Sequence, residues 1–135
     1  MHARVTPSSD QVAADLRVGQ PSFQPTVSVV VPTHGRPDLL RRCLRALLAQ
    51  TPPAGGYEIV VVEDGGPGTA RDVVAAFQTW SAVPLRYLVV PQGGPGAARN
   101  AGWRAAHGQT VAFTDDDTVP DPRWLHHGLA ALDRG

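Results

Sequence analysis

Runs of β-branched and other apolar residues alternate with segments of helical periodicity along most of this chain. Residues 27–31 and 57–62 are near-continuous apolar runs, which is typical of strands buried on both faces of a sheet. Leucines recur at helical spacing over residues 37–49, behind Pro37 at a position that suits the first turn of a helix. The pattern predicts strands at residues 27–31, 57–62, 85–90 and 110–113, and helices at residues 37–49, 70–80, 95–107 and 122–132.

Strands and helices that alternate at this spacing favour right-handed βαβ crossovers. We therefore predict an α/β fold, in which a Rossmann-like, mostly parallel sheet carries helices on both faces. Cys43 lies on the apolar stripe of the first helix and is expected to face the core. Gly108 follows the third helix and is expected to end it in a left-handed conformation.

Local composition divides the chain into two regions. Residues 1–26 carry three prolines and little periodic apolar signal, so we expect a flexible leader or linker there. Residues 27–135 are the predicted folded region. At 135 residues the chain is near the size at which an α/β fold is still incomplete, so we expect a partial domain that lacks its C-terminal part.

Composition excludes several classes of function. Acidic and basic residues balance at 12 each, which removes any global electrostatic attraction to nucleic acid or to an anionic membrane. The single cysteine excludes an intramolecular disulfide and a cysteine metal cluster, and it fits a reducing compartment. No apolar run reaches membrane-spanning length. We expect no nucleic-acid partner, no membrane segment in this chain and a cytoplasmic location, with the inner face of the membrane as an alternative for the intact protein.

Polar or glycine-rich clusters follow all four predicted strands, at residues 32–36, 63–66, 91–96 and 114–117. The segments before these strands are plainer. Because the carboxyl ends of parallel strands meet at one edge of a sheet, we expect the four clusters to line a ligand crevice there.

The last of these clusters contains three consecutive carboxylates, Asp115, Asp116 and Asp117. Three adjacent carboxylates repel one another, and no Lys or Arg stands beside them in the sequence. We expect them to hold a divalent cation or the hydroxyl groups of a sugar. The alternative is a solvated acidic turn.

The other clusters favour a nucleotide as the ligand. The glycine-rich residues 93–96 lead into a helix that carries Arg99, so backbone amides and a guanidinium can converge on a phosphate or diphosphate. The alternative is a loop selected for turn geometry; the segment matches neither a Walker loop nor a dinucleotide fingerprint. Glu63 and Asp64 form an acidic pair that can accept hydrogen bonds from a nucleobase or a ribose, unless they belong to a simple turn. Thr33 and Arg36 are placed to contact the base or a phosphate.

Four segments together resemble family 2 glycosyltransferases of the GT-A fold, in the N-terminal part of that family that binds the nucleotide sugar. Residues 27–33, with Arg36 and Pro37, resemble the opening strand and first nucleotide contact of the family. Residues 60–66 resemble its Val-Val-Asp-Asp-Gly-Ser segment, and residues 96–102 its Ala-Arg-Asn-x-Gly helix. Residues 113–117 are similar to its Asp-x-Asp motif. The order and the spacing of the four segments carry the resemblance.

The resemblance implies binding of a nucleotide-diphosphate sugar, with a UDP-sugar favoured, together with Mg²⁺ or Mn²⁺, and transfer of the sugar with inversion. Asp117 would coordinate the metal that neutralises the leaving diphosphate. Asp115 would contact the ribose or the sugar, and Arg99 the base or the diphosphate. The residues assigned by position to nucleotide-sugar binding are Pro32, Thr33, Arg36, Glu63, Asp64, Arg99, Asp115 and Asp116.

Two departures from the family pattern bear on catalysis. Glu63 stands where the family more often has Asp, which gives a longer reach toward a base. The acceptor-binding half, which supplies a carboxylate general base, is expected beyond Gly135, so the catalytic base and the acceptor stay unassigned. The alternatives are a nucleotide-binding module or fragment without turnover, and a nucleotidyltransferase. A nucleotidyltransferase would carry a glycine-rich loop with Lys or Arg directly after the first strand.

Overall fold

The computed structural model describes residues 2–3 and 24–134. Five strands lie in this part of the chain: β1 (His2–Ala3), β2 (Val27–Thr33), β3 (Tyr57–Asp64), β4 (Leu85–Val90) and β5 (Thr110–Phe113). The helices of the same part are α1 (Pro37–Leu48), α2 (Thr69–Gln78), α3 (Gly94–Ala105) and α4 (Trp124–Arg134). The predicted alternation of strands and helices is confirmed.

The strands form one sheet in the order β1-β5-β2-β3-β4. Strands β5, β2, β3 and β4 are parallel, and β1 pairs antiparallel with β5 at the edge. The chain moves outward from β2 to β3 and β4, then crosses back through α3 to place β5 on the other side of β2. The direction of winding therefore reverses between β2 and β5, and the carboxyl ends of these two strands border the crevice expected at such a point.

Helices cover both faces of the sheet, as predicted. Helices α1, α2 and α4 share one core cluster, to which they contribute the buried side chains of Leu44, Val74 and Leu125. Cys43 belongs to the same cluster and is fully buried, so its predicted orientation is confirmed. Helix α3 covers the opposite face, where Ala98 packs with valines of the sheet. Strands β2 and β3 are buried at every position, which agrees with their near-continuous apolar runs.

Strands β2 and β3 extend two residues beyond the predicted ends, through Thr33 and Asp64. Pro32, expected to end the first strand, lies within it opposite Val62. The carbonyl of Val30 faces β5, so two residues later Pro32 also faces that side, just beyond the end of the β5 ladder. A missing N–H is tolerated there because no ladder hydrogen bond is required.

Gly108 does not form the predicted left-handed helix end, because α3 ends at Ala105 and Gly108 lies outside the residues with positive φ. Glycine is required at this position for a close approach of two backbones. A Cβ atom on Gly108 would lie 2.7 Å from the amide nitrogen of Ser28. Because Gly108 has no side chain, the segment before β5 can pack directly against the backbone of β2.

Most of the predicted leader, residues 1–26, lies outside the described residues, and its flexibility stays a prediction. Its described part includes β1, which pairs with β5. Among residues 2–3 and 24–134, no helix combines the length and the apolar character needed to cross a bilayer.

Candidate functional site

A cleft of about 130 Å³ opens at the carboxyl ends of β2 and β5, where the direction of winding reverses. Its lining comes from three strand ends and the start of α3. The lining residues are Pro32, Thr33, His34, Arg36, Asp64, Pro95, Asp115 and Asp116. Six of these were assigned to nucleotide-sugar binding from the sequence. The other two, His34 and Pro95, are not among the residues assigned from the sequence, because neither carries a specific local signal for a ligand.

The acidic cluster is a tight turn that follows β5. The backbone amide of Thr118 donates to the carbonyl oxygen of Asp115 at 3.3 Å, and the Thr118 hydroxyl donates to the same oxygen at 2.8 Å. The thiol of Cys43 on α1 donates to the same carbonyl oxygen at 3.5 Å. Burial raises the pKa of that thiol to about 11, so it remains a neutral donor at physiological pH. Three donors within the protein therefore hold the backbone of the turn at Asp115, its first residue.

Asp116 is the anchor of this turn. Its side chain is 0% exposed, and its Oδ2 accepts a hydrogen bond from the Thr33 hydroxyl at 2.8 Å. Its Oδ1 lies 2.6 Å from the Arg36 guanidinium, although no donor of the described residues is aligned for a hydrogen bond to that oxygen. The contact with Arg36 is thus an ion pair rather than a directed hydrogen bond. Asp116 joins the end of β5 to the end of β2.

Asp115 and Asp117 differ from Asp116 in being exposed, by 59% and 52% of the side chain. Arg99 lies 3.2 Å from Asp115, and Arg36 lies 3.9 Å from Asp117. Although no Lys or Arg adjoins the triplet in the sequence, the fold brings two guanidinium groups to it from other elements. The two exposed carboxylates stay accessible to a ligand.

The anion expected at the start of α3 is supplied by the protein itself. The carboxylate of Asp64 accepts hydrogen bonds from the amides of Gly93 and Gly94, at 2.8 Å and 3.1 Å. These amides are among the unpaired donors that every helix N-terminus presents. His34 Nδ1 lies within hydrogen-bonding distance, 2.6 Å, of the Asp64 backbone carbonyl. Asp64 thereby connects three segments that border the cleft.

Glu63 and Asp64 do not form an acidic pair, because successive side chains of a strand point to opposite faces of the sheet. Glu63 is fully buried on the α2 side, where it accepts hydrogen bonds from Tyr87 at 2.5 Å and from the Gly68 amide at 3.2 Å. Desolvation, together with this contact, raises the pKa of Tyr87 to about 12. Glu63 lies outside the lining of the cleft, and its contact with a nucleotide stays a prediction.

The profile described as Glycosyl transferase family 2 matches residues 28–135. The chain belongs to this family.

Individual members of glycosyl transferase family 2 align with most of the chain. Validoxylamine A glucosyltransferase of Streptomyces hygroscopicus subsp. jinggangensis is 36% identical over 113 residues, which are 84% of this chain and 27% of that protein. The chain therefore spans about a quarter of the length of this relative.

Solved structures of GT-A glycosyltransferases show the same fold. Residues 1–349 of Staphylococcus aureus TarS in complex with UDP-GlcNAc superimpose with a TM-score of 0.70 at 28% identity, over 81% of this chain and 31% of that TarS fragment. The mannosyltransferase PcManGT of Pyrobaculum calidifontis, in complex with GDP-Man and Mn²⁺, gives a TM-score of 0.73 at 25% identity, over 90% of this chain and 38% of that protein. The GT-A architecture predicted from the sequence is confirmed.

The carboxylate oxygens of the acidic turn are of the ligand type that Mg²⁺ and similar divalent cations prefer. In the part of the chain that the structure describes, no three His, Cys, Asp or Glu side chains are grouped as a complete metal cage. Mg²⁺ is commonly held by one or two carboxylates together with substrate phosphates, so a complete cage is not required. Asp117 and Asp115 offer two exposed carboxylates on one turn.

Proposed function

We propose that this chain is the donor-binding part of a glycosyltransferase, which binds a nucleotide-diphosphate sugar together with Mg²⁺ or Mn²⁺. The observation that carries the proposal is the convergence of the β2 end and the acidic turn on one cleft at the switch point of a GT-A sheet. Two exposed carboxylates and two arginines lie in or beside this cleft. These groups match the metal, the diphosphate and the hydroxyls of such a donor.

The charge around the cleft supports a requirement for metal. Among the described residues, the four carboxylates of Asp64, Asp115, Asp116 and Asp117 lie in or beside the cleft with only two guanidinium groups, those of Arg36 and Arg99. Two negative charges are left over, and they would repel a diphosphate. A divalent cation bound at Asp117 would offset this excess.

Several residues in or beside the cleft then take specific roles in donor binding. Thr33 and Arg36 would contact the nucleoside beside Pro32, and Arg99 would bind the base or the diphosphate. Asp115 would accept hydrogen bonds from the ribose or the sugar, which requires Arg99 to share or release it. The bound metal would stabilise negative charge on the departing diphosphate. Asp64 would hold the first turn of α3 against the cleft.

A UDP-sugar is the favoured donor, and transfer is proposed to proceed with inversion at the anomeric carbon. The TarS complex with UDP-GlcNAc supports UDP, while the PcManGT complex with GDP-Man and Mn²⁺ keeps GDP as the comparison. Inversion requires a general base that deprotonates the acceptor hydroxyl. Among the described residues the cleft carboxylates are assigned to the donor, so this base stays unassigned.

Isothermal titration calorimetry with UDP and with GDP, each with Mn²⁺ or with EDTA, tests the proposal. We expect UDP to bind more tightly with Mn²⁺ than with EDTA. Asp117→Ala should remove the gain because it removes the metal-binding carboxylate. Asp72→Ala is the matched control, since Asp72 is an exposed carboxylate on α2.

Two results would contradict donor binding. One is the absence of binding by either nucleotide under all conditions. The other is an undiminished Mn²⁺-dependent gain in the Asp117→Ala variant. Release of UDP from a UDP-sugar, followed over time, would then distinguish an enzyme from a binding module.

A further inference from the structure

The central residue of the acidic turn differs from its neighbours in burial and in partners. Asp115 and Asp117 are more than half exposed, whereas Asp116 is 0% exposed. Both oxygens of Asp116 face residues of the segment around the end of β2, with Thr33 on one side and Arg36 on the other. Asp116 belongs to the lining of the cleft, but its side chain has no exposed surface, so its carboxylate cannot contact a donor unless this arrangement opens.

We infer that Asp116 is a positioning residue, which fixes the acidic turn to the end of β2 through Thr33 and thereby sets the direction of the Asp117 and Asp115 carboxylates. This inference rests on the proposed function of the cleft. It gives Asp116 a role other than the donor contact expected from the sequence. Partners that orient a metal-binding group can affect metal affinity without touching the metal.

The Thr33 contact is the part of this arrangement that can be tested in isolation. Thr33 is 4% exposed and its hydroxyl donates at 2.8 Å, so Thr33→Val removes one hydrogen bond at nearly constant volume. Arg36 is less suitable, because its guanidinium also approaches Asp117 and its removal would alter the charge near the metal directly. Substitution of Thr33 therefore tests the orientation of the acidic turn without changing the charge near the metal.

The readout is the ratio of UDP dissociation constants measured by calorimetry with EDTA and with Mn²⁺. This ratio isolates the contribution of the metal from any direct contact of Thr33 with the nucleoside. We expect Thr33→Val and Asp116→Asn each to reduce the ratio by about tenfold. The double variant should lose no more than the worse single variant, because both changes break the same contact.

Matched variants separate orientation from loss of folding. Thr33→Ser keeps the hydroxyl and should restore most of the ratio. Thr79→Val makes the same substitution at an exposed threonine after α2 and should leave the ratio unchanged. Urea unfolding shows which variants are folded. If Asp116→Asn does not fold, the comparison of Thr33→Val with Thr33→Ser decides.

The outcomes distinguish this inference from the proposed function. If Asp116 were itself a donor or metal contact, Thr33→Val would keep the wild-type ratio while Asp116→Asn lost it, and the inference would be overturned. Additive losses in the double variant would overturn it as well. A wild-type protein that binds UDP equally with Mn²⁺ and with EDTA would overturn both this inference and the metal-dependent function.

Discussion

At the scale of single residues, Asp64 combines a structural contact with a place in the cleft. Its carboxylate accepts hydrogen bonds from the amides of Gly93 and Gly94, the residue before α3 and the first residue of α3, and Asp64 also lines the cleft. Side chains that cap a helix typically stabilise a protein by about 1 kcal/mol. The start of α3, with Arg99 one turn later, is therefore positioned by an acid that the sequence indicated only as a nucleotide contact.

We predict that Asp64→Ala lowers the free energy of unfolding by about 1–2 kcal/mol, because two helix amides lose their acceptor. Urea unfolding followed by circular dichroism measures this change. Asp72→Ala, at an exposed carboxylate in the first turn of α2, should cost no more than about 0.5 kcal/mol. Equal costs for the two variants would contradict the capping role.

At the same scale, we predict that the Cys43 thiol of the folded protein reacts slowly with alkylating reagents. Burial raises the pKa of its thiol from 9.0 to about 11, so at pH 8 the folded protein holds about 100-fold less thiolate than the unfolded chain. Iodoacetamide should therefore label the native protein far more slowly than the urea-unfolded protein. Because the pKa is raised on folding, the stabilising contribution of the neutral thiol is complete below pH 9 and is lost as the pH rises through about 11. Equal labelling rates at pH 8 would contradict the buried position.

At the scale of secondary structure, α3 depends on a glycine that lets it lie directly on the sheet. A Cβ atom on Gly102 would come within 2.3 Å of Val30 Cγ1 and 3.2 Å of Val62 Cγ2. Valine side chains are stiff and these two are fully buried, so they cannot move aside without strain. The sequence marked this residue as part of a family motif, but only the packing explains why glycine is needed.

Gly102→Ala should destabilise the protein by about 1–3 kcal/mol despite the higher helix propensity of alanine. Gly96→Ala is the matched control on the same helix, because a Cβ atom there would have open space around it. We expect the control to be neutral or stabilising by up to about 1 kcal/mol. Urea unfolding of both variants measures the difference, and a Gly102→Ala protein as stable as the control would contradict close packing of α3.

At the scale of the whole molecule, a buried carboxylate links several strands at the end of the sheet opposite the cleft. Glu58 is 1% exposed and accepts hydrogen bonds from Ser28 of β2 at 2.6 Å, Arg86 of β4 at 3.2 Å and the His107 amide at 2.8 Å. Ser28 in turn accepts from the Gly108 amide at 2.8 Å. One carboxylate thus connects three neighbouring strands and the segment that leads into β5.

Arg86→Met should lower the free energy of unfolding by about 1–3 kcal/mol, since it leaves a buried carboxylate with fewer donors and frees the Ala105 carbonyl. Arg42→Met, at an exposed arginine on α1, should change stability by no more than about 0.5 kcal/mol. Urea unfolding again measures both. If the two substitutions cost the same, Glu58 does not depend on Arg86.

From residue 27 onward, the sequence by itself determined the order of strands and helices, the parallel α/β class and the edge of the sheet at which polar residues gather, but it did not predict β1. These properties follow from periods of two to four residues and from the turn residues between elements, which are local signals. The same local patterns placed Cys43 in the core. They also placed the acidic triplet directly after a strand.

Only the tertiary structure decided which acids remain available to a ligand. The Thr33 and Asp116 side chains meet across 83 positions of sequence, and Arg99 reaches Asp115 across 16. Extension of β3 by two residues places Glu63 and Asp64 on opposite faces of the sheet. Such contacts depend on which strands become neighbours, and no local pattern encodes that. For this reason the sequence indicated an acidic cleft, whereas the fold separated its exposed carboxylates from the buried ones that hold it together.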